Sequence, residues 1–149
     1  MSEFDPEKFM ENDEALKEFN AGILEEFRAN HGKIGGIFEG FDVVLLTAKG
    51  ARSGLSRLTP LVSLSIDGKM VVIGSRGGAP KDPAWVHNVR ANPQGQLEIG
   101  THKYEVTVRE VRDEERDALF DKVVVMAPNY GEYQAKTTRV IPLFELRPN

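Results

Sequence analysis

The sequence predicts one compact α+β barrel of mainly antiparallel strands, preceded by an amphipathic helix and interrupted by short helices. Three observations carry this reading. Apolar or alternating runs recur at close intervals from Val43 to Leu146, punctuated by Gly, Asn, Asp and Pro. That spacing suits antiparallel strands with inserted helices better than alternating βαβ units. Asp67-Gly68 stands between two such runs and is a two-residue hairpin signal, because both central positions of that turn take positive φ. Finally, the 149 residues show no internal repeat and no linker-like stretch, which fits one domain with a real core. Residues 1–32 read as a helical segment packed on that domain, and residues 33–149 as the barrel itself.

Each element has a local cause. Asp5-Pro6 reads as a helix start, with Asp as N-cap and Pro at the first helical position. From Asn12 onward Leu16, Phe19, Ile23 and Phe27 recur at three- and four-residue intervals, with Ala15 and Leu24 beside them, and Gly32 follows Arg28 and His31 as a stop. The opposite face carries Glu11, Asp13, Glu14, Glu18, Glu25 and Glu26. A membrane-surface helix usually presents Lys and Arg there, so packing on the domain is favoured over peripheral membrane contact. Gly35-Gly36 and Gly40 mark a loop; Val43 to Thr47 is a buried strand, Lys49 to Gly54 a turn, Leu58 to Ile66 a second strand and Met70 to Ile73 its return. Asp82-Pro83 repeats the N-cap signature and opens a helix from Ala84 to about Ala91, which Asn92-Pro93 breaks. Gln96 to Ile99 and Tyr104 to Val111 form a further hairpin, with Tyr104, Val106 and Val108 on one face. A helix N-capped by Asp113 runs to Val125, a short one covers Tyr130 to Lys136, and Ile141 to Leu146 is the last strand.

Composition narrows the chemistry. Cysteine is absent, which excludes a disulfide framework, a thiolate zinc site, an iron–sulfur cluster and thiol redox chemistry. A redox role would therefore need a bound cofactor. The net charge of −4 offers no global basic field, so nucleic acid is not an expected partner. No secretory signal or membrane-spanning apolar run stands in the chain, and a soluble cytoplasmic protein is the default. His31, His87 and His102 lack metal-ligand spacing, so no metal site is expected. There is no Gly-x-Ser-x-Gly elbow for a serine hydrolase. No residue pattern specifies the assembly state.

Two segments do suggest a ligand. Lys49-Gly50-Ala51-Arg52-Ser53-Gly54-Leu55-Ser56-Arg57 holds three cations and no acid on a tight turn. Guanidinium groups pair bidentately with phosphate or carboxylate, although a solvated basic hairpin tip would read the same way. Gly74-Ser75-Arg76-Gly77-Gly78-Ala79-Pro80-Lys81 follows a strand and precedes a helix, a setting that suits anions and close backbone approach. Its glycines fall at the wrong intervals for a dinucleotide fingerprint, and no Gly-Lys-Ser/Thr ends it as in a nucleotidase phosphate loop. Together the two segments point to an anionic cofactor. Trp85, the sole tryptophan, suits either a core anchor or a ring-stacking wall, with the core favoured.

At these residues the chain resembles the deazaflavin-dependent nitroreductase family, a branch of the FMN-binding split β-barrel proteins. The likeness runs from Glu26-Phe27-Arg28-Ala29-Asn30 through Leu45-Leu46-Thr47, Gly50 to Gly54, Arg57 and Thr59-Pro60-Leu61. It continues in Ser75, Gly77 to Lys81, Pro83-Ala84-Trp85 and His87-Asn88, and ends in Tyr130 to Gln134 and Thr137 to Pro142. The resemblance implies a split β-barrel that holds reduced 8-hydroxy-5-deazaflavin (coenzyme F-420) and passes hydride to a small acceptor such as a quinone, activated enone or nitro compound. Carried over by position, Lys49, Arg52 and Arg57 meet the phosphate or acidic tail, and Thr59, Pro60 and Leu61 run under the ring. Ser75, Gly77, Gly78, Ala79, Lys81, Trp85 and Asn88 complete the cofactor wall. Tyr133, Tyr130 and Ser75 are the catalytic candidates: Tyr133 orients or protonates the acceptor, Tyr130 supports it, and Ser75 hydrogen-bonds cofactor or substrate. Both tyrosines also fit a purely shaping, lid-like role. The competing readings are an FMN-dependent oxidoreductase on the same barrel and a non-catalytic deazaflavin carrier.

Overall fold

The computed structural model describes residues 13–32 and 42–149. In chain order these form helix α1 (Asp13–Ala29), strands β1 (Asp42–Lys49), β2 (Ser56–Ile66) and β3 (Lys69–Ile73), a single 3-10 turn (Arg76–Gly78) and helix α2 (Ala84–Ala91). Strands β4 (Gln94–Ile99) and β5 (His102–Val111), helices α3 (Asp113–Met126) and α4 (Asn129–Ala135), and strand β6 (Leu143–Pro148) complete the chain. The expected α+β barrel is therefore present. The helix start expected at Asp5-Pro6 and the glycine loop from Gly35 to Gly40 lie outside the described residues.

The six strands close into one barrel in the order β1-β2-β3-β6-β5-β4, and β1 pairs with β4 to complete the ring. Every pairing is antiparallel. Closure leaves no free sheet edge, so each strand has backbone partners on both sides. The Asp67-Gly68 turn has φ of 53° and 76° at its two central residues, as the hairpin signal requires.

Three apolar clusters account for the stacking of layers. The barrel interior holds Val44, Leu46, Leu61, Val72, Leu97, Val106 and Phe144, and α2 adds Trp85, Val86 and Val89 to it. Helices α3 and α4 cover the outside of β2, β3 and β6 through Leu119, Phe120, Val123 and Tyr133 against Leu64, Ile66, Val71 and Leu143. Helix α1 covers β1 by seating Ile23 and Phe27 on Val43 and Leu45. Burial of those two helix side chains contributes roughly 3–6 kcal/mol, and the Arg28–Glu98 ion pair adds a polar tie to β4. Strand β1 is thus buried on both faces, which explains its unbroken Val-Val-Leu-Leu run.

Three local expectations change. Helix α1 ends with His31, not Gly32, in the first left-handed position (φ 57°), while Gly32 donates its N–H to the Phe27 carbonyl at 2.8 Å; this is the closing bond of a Schellman-type end. Asp82 does not cap α2: the residue before the helix is Pro83, with no side-chain cap, because the Asp82 carboxylate is taken by Arg139 and Arg90. Asp113 does not cap α3 either; Arg112 precedes the helix without a side-chain cap, and Asp113 itself sits at φ 58°. Tyr104 shares its face of β5 with Val106 and Val108, as expected, but is 40% exposed where the two valines are buried.

Candidate active site

The two ligand-friendly segments converge around helix α2. Within the β1–β2 turn, Gly50 donates to the Leu55 carbonyl (2.7 Å) and Gly54 to the Gly50 carbonyl (3.0 Å), and Leu55 N–H reaches Ser53 Oγ (3.1 Å). The turn is therefore ordered by its own short-range bonds. Ala51 N–H then donates to Asn88 Oδ1 of α2 at 2.9 Å. One bond thus joins the basic turn to the helix that follows the glycine-rich loop.

Lys49, Arg52 and Arg57 are exposed on this turn. Their charged heads take part in no salt bridge among the described residues. Arg28, Arg90, Arg109, Arg112, Arg116, Arg139 and Arg147, in contrast, each hold a carboxylate. The paired arginines are committed to the fold. Arg52 and Arg57 are available to an incoming anion, and a bidentate guanidinium pair contributes about 1.5–3 kcal/mol per bond when well formed. Lys81 is likewise exposed at the far end of the glycine-rich loop.

The glycine-rich loop is buried and tightly folded. Ser75, Gly77, Gly78 and Ala79 are all buried, and Gly78 N–H closes the 3-10 turn on the Ser75 carbonyl at 2.9 Å. Gly78 has φ +88°, and a Cβ added there would stand 2.6 Å from the Tyr133 carbonyl oxygen and 3.2 Å from Tyr133 Cα. The loop therefore lies directly on the backbone of α4, which carries both candidate tyrosines. Tyr130 and Tyr133 meet edge to face, with centroids 5.8 Å apart and planes at 86°. Tyr133 is buried at 9% exposure and Tyr130 is half-buried. Burial, with a smaller effect of Tyr133, pushes the Tyr130 hydroxyl well above the ordinary phenol range, so it stays a neutral donor.

Other candidates take supporting positions. Thr59 and Pro60 are half-buried on β2 opposite Leu46 and Leu45. Leu61 and Trp85 belong to the barrel core, and the indole packs edge-on against Phe144 at 5.2 Å. Their side chains thus stiffen the wall from behind.

The polar frame of the site rests on residues to which sequence reading assigns no role. Arg139 donates to three loop carbonyls, Ala79 (2.8 Å), Ser75 (2.7 Å) and Gly74 (3.1 Å), and to Asp82 Oδ1 (2.7 Å). Gln134 of α4 donates to the Arg139 carbonyl (2.7 Å) and accepts from Ile141 N–H (3.0 Å) and Arg116 (2.9 Å). Arg116, stacked over Phe120 at 4.3 Å, also donates to the Ile141 carbonyl at 2.8 Å. The only sequence signal is the position of Arg139 inside the Thr137–Pro142 stretch that carries the family resemblance. Its carbonyl partners are 60 to 65 residues away, beyond the reach of local pattern reasoning.

The family model of the F420H2-dependent quinone reductases matches residues 23–148. The chain belongs to this family. An F420H2-dependent quinone reductase of Mycobacterium tuberculosis is 31% identical over 124 residues, covering 80% of this chain and 83% of that protein. A second, putative quinone reductase of the same organism is 28% identical over 105 residues, or 70% of this chain and 88% of the relative. Among solved structures, one described as an F420-H2 dependent reductase superposes with a TM-score of 0.62 at 40% identity, covering 70% of this chain and 93% of its own. A heme storage protein from Vibrio cholerae shares the fold alone, with a TM-score of 0.51 at 15% identity. Among the described residues, no helix is long and apolar enough to cross a membrane.

Proposed function

We propose that this protein is a deazaflavin-dependent reductase that moves hydride from reduced coenzyme F-420 to a quinone-type acceptor. The observation that carries the reading is the Ala51–Asn88 bond, which sets a turn bearing uncommitted cations against the helix that follows the glycine-rich loop. The donor set fits the coenzyme. Cations at the turn suit its phosphate and acidic tail, and a close-packed glycine loop suits a backbone wall beside a flat ring.

When bound, the coenzyme supplies the hydride; the protein supplies position and dryness. Lys49, Arg52 and Arg57 hold the anionic end, with Lys81 on the neighbouring loop. Ser75, Gly77, Gly78 and Ala79 form the wall, Thr59, Pro60 and Leu61 contribute the β2 side, and Asn88 ties wall to turn. Tyr130 and Tyr133 face the acceptor. Quinone reduction takes up one hydride and one proton, and a phenol hydroxyl can hydrogen-bond the acceptor oxygen as charge develops there. Tyr133 takes this role in our reading, with Tyr130 locking its ring edge to face.

The test is a titration of coenzyme F-420 against the native protein and the Arg52→Ala/Arg57→Ala double variant over a range of salt. Loss of two charge-assisted bonds of about 1.5 kcal/mol each lowers affinity by roughly 10²-fold. The residual binding should depend less on salt. Unchanged affinity would make the turn a solvated tip. Binding of FMN in preference to the deazaflavin would transfer the site to the other coenzyme.

A further inference from the structure

Arg139 occupies a position that the cofactor-wall and acceptor roles leave unexplained. Its side chain is only 15% exposed, and its guanidinium reaches the carbonyls of Gly74, Ser75 and Ala79 together with Asp82. The same residue is held at its own carbonyl by Gln134 of α4, while Gly78 rests on the Tyr133 backbone of that helix.

We propose that Arg139 is a positioning residue that clamps the glycine-rich loop to the tyrosine helix and so sets the distance between cofactor wall and acceptor side. The inference rests on the deazaflavin reading for its ligand, but the clamp itself is a property of the free protein. Asp82 is the second jaw: it accepts from Arg139 and from Arg90 (3.1 Å), which is anchored in turn on Glu110 of β5. The loop is thereby strapped to both the tail segment and the barrel. Lysine at position 139 can meet at most part of this set, because an ammonium lacks the planar fork that serves several carbonyls at once.

The experiment compares the native protein with Arg139→Lys, Arg139→Ala and Asp82→Asn, and uses Lys122→Ala as a control that cuts only an exposed ion pair with Asp67. Amide hydrogen exchange of the ligand-free proteins reads the clamp directly. The expected result is at least tenfold faster exchange at residues 75–79 in Arg139→Lys and Arg139→Ala, with unchanged exchange in β1 and β5. Coenzyme affinity should fall at least 30-fold in Arg139→Ala and by a smaller factor in Arg139→Lys. Single-turnover hydride transfer at saturating coenzyme should fall as well. If Arg139→Ala fails to fold, Arg139→Lys and Asp82→Asn carry the test. Folded variants with native loop exchange and native affinity would overturn the proposal. A native protein that binds no deazaflavin would instead refute the functional reading, and the exchange result would still decide the clamp.

Discussion

Replacing Gly78 with Ala measures the contact between the glycine-rich loop and the tyrosine helix. Gly78 has φ +88°, and a new methyl would meet the Tyr133 carbonyl oxygen at 2.6 Å, Lys136 Cβ at 3.1 Å and Tyr133 Cα at 3.2 Å. Two of those atoms are helix backbone, so no side-chain rotation relieves the clash. The left-handed conformation costs an alanine about 1–2 kcal/mol, and overpacking adds about 1–3 kcal/mol. Gly68→Ala is the matched control, because Gly68 has φ +76° with nothing within 4 Å of the added carbon. It should lose only the conformational part. For a chain of this size each kcal/mol moves Tm by about 2–4 °C, so Gly78→Ala should melt roughly 2–12 °C below Gly68→Ala. Thermal melts of the two variants, with a coenzyme titration alongside, provide the assay. Equal melting temperatures and equal coenzyme affinities would refute the claim that the loop is seated on α4.

Other expectations follow from the same geometry. Tyr133→Phe should leave coenzyme binding intact and lower turnover about tenfold, the worth of one hydrogen bond of ~1–1.5 kcal/mol; a normal rate would remove its polar role. Hydrogen bonds from Arg28 and from Arg90 hold Glu98 and Glu110 below the carboxyl value of 4.5. Their unfolded forms therefore bind protons first as pH drops, and stability present above pH 4.5 is lost as pH falls through the folded values. Glu110→Gln should flatten that acid slope in denaturant melts, and an unaltered slope would contradict the assignment. At the alkaline end, the raised Tyr130 hydroxyl stabilises the fold fully below its ordinary value of 10. That contribution declines as pH rises beyond it, and Tyr130→Phe should lessen the decline.

Much of the barrel was legible because its causes are local. The double-sided apolar run of β1, the Asp67-Gly68 turn and the helical stripe through Ile23 and Phe27 each declare themselves within a few residues. Helix caps were less legible. Asp82 and Asp113 have the right chemistry at the right spacing, but tertiary demand draws Asp82 to Arg139 and Arg90. The same division holds at the site. The basic turn and the glycine loop are contiguous segments and could be read directly, whereas the bond from Ala51 to Asn88 spans 37 residues and the bonds of the Arg139 clamp span 57 to 65. Trp85 lies in the barrel core, the position that sequence reading favours, and Leu61 is buried in the same cluster. Sequence thus announces the groups that meet a ligand, while the residues that aim them emerge only once the barrel closes.

The most direct test of the account is a rapid-mixing experiment. Protein saturated with reduced coenzyme F-420 is mixed with a quinone, and oxidised coenzyme is followed by its absorbance. The account predicts a single-exponential rise, faster by orders of magnitude than in protein-free solution, that slows in Tyr133→Phe and needs more coenzyme in the Arg52→Ala/Arg57→Ala variant. Tight coenzyme binding with no oxidation by any member of a quinone panel would contradict it and leave a carrier in place of a reductase.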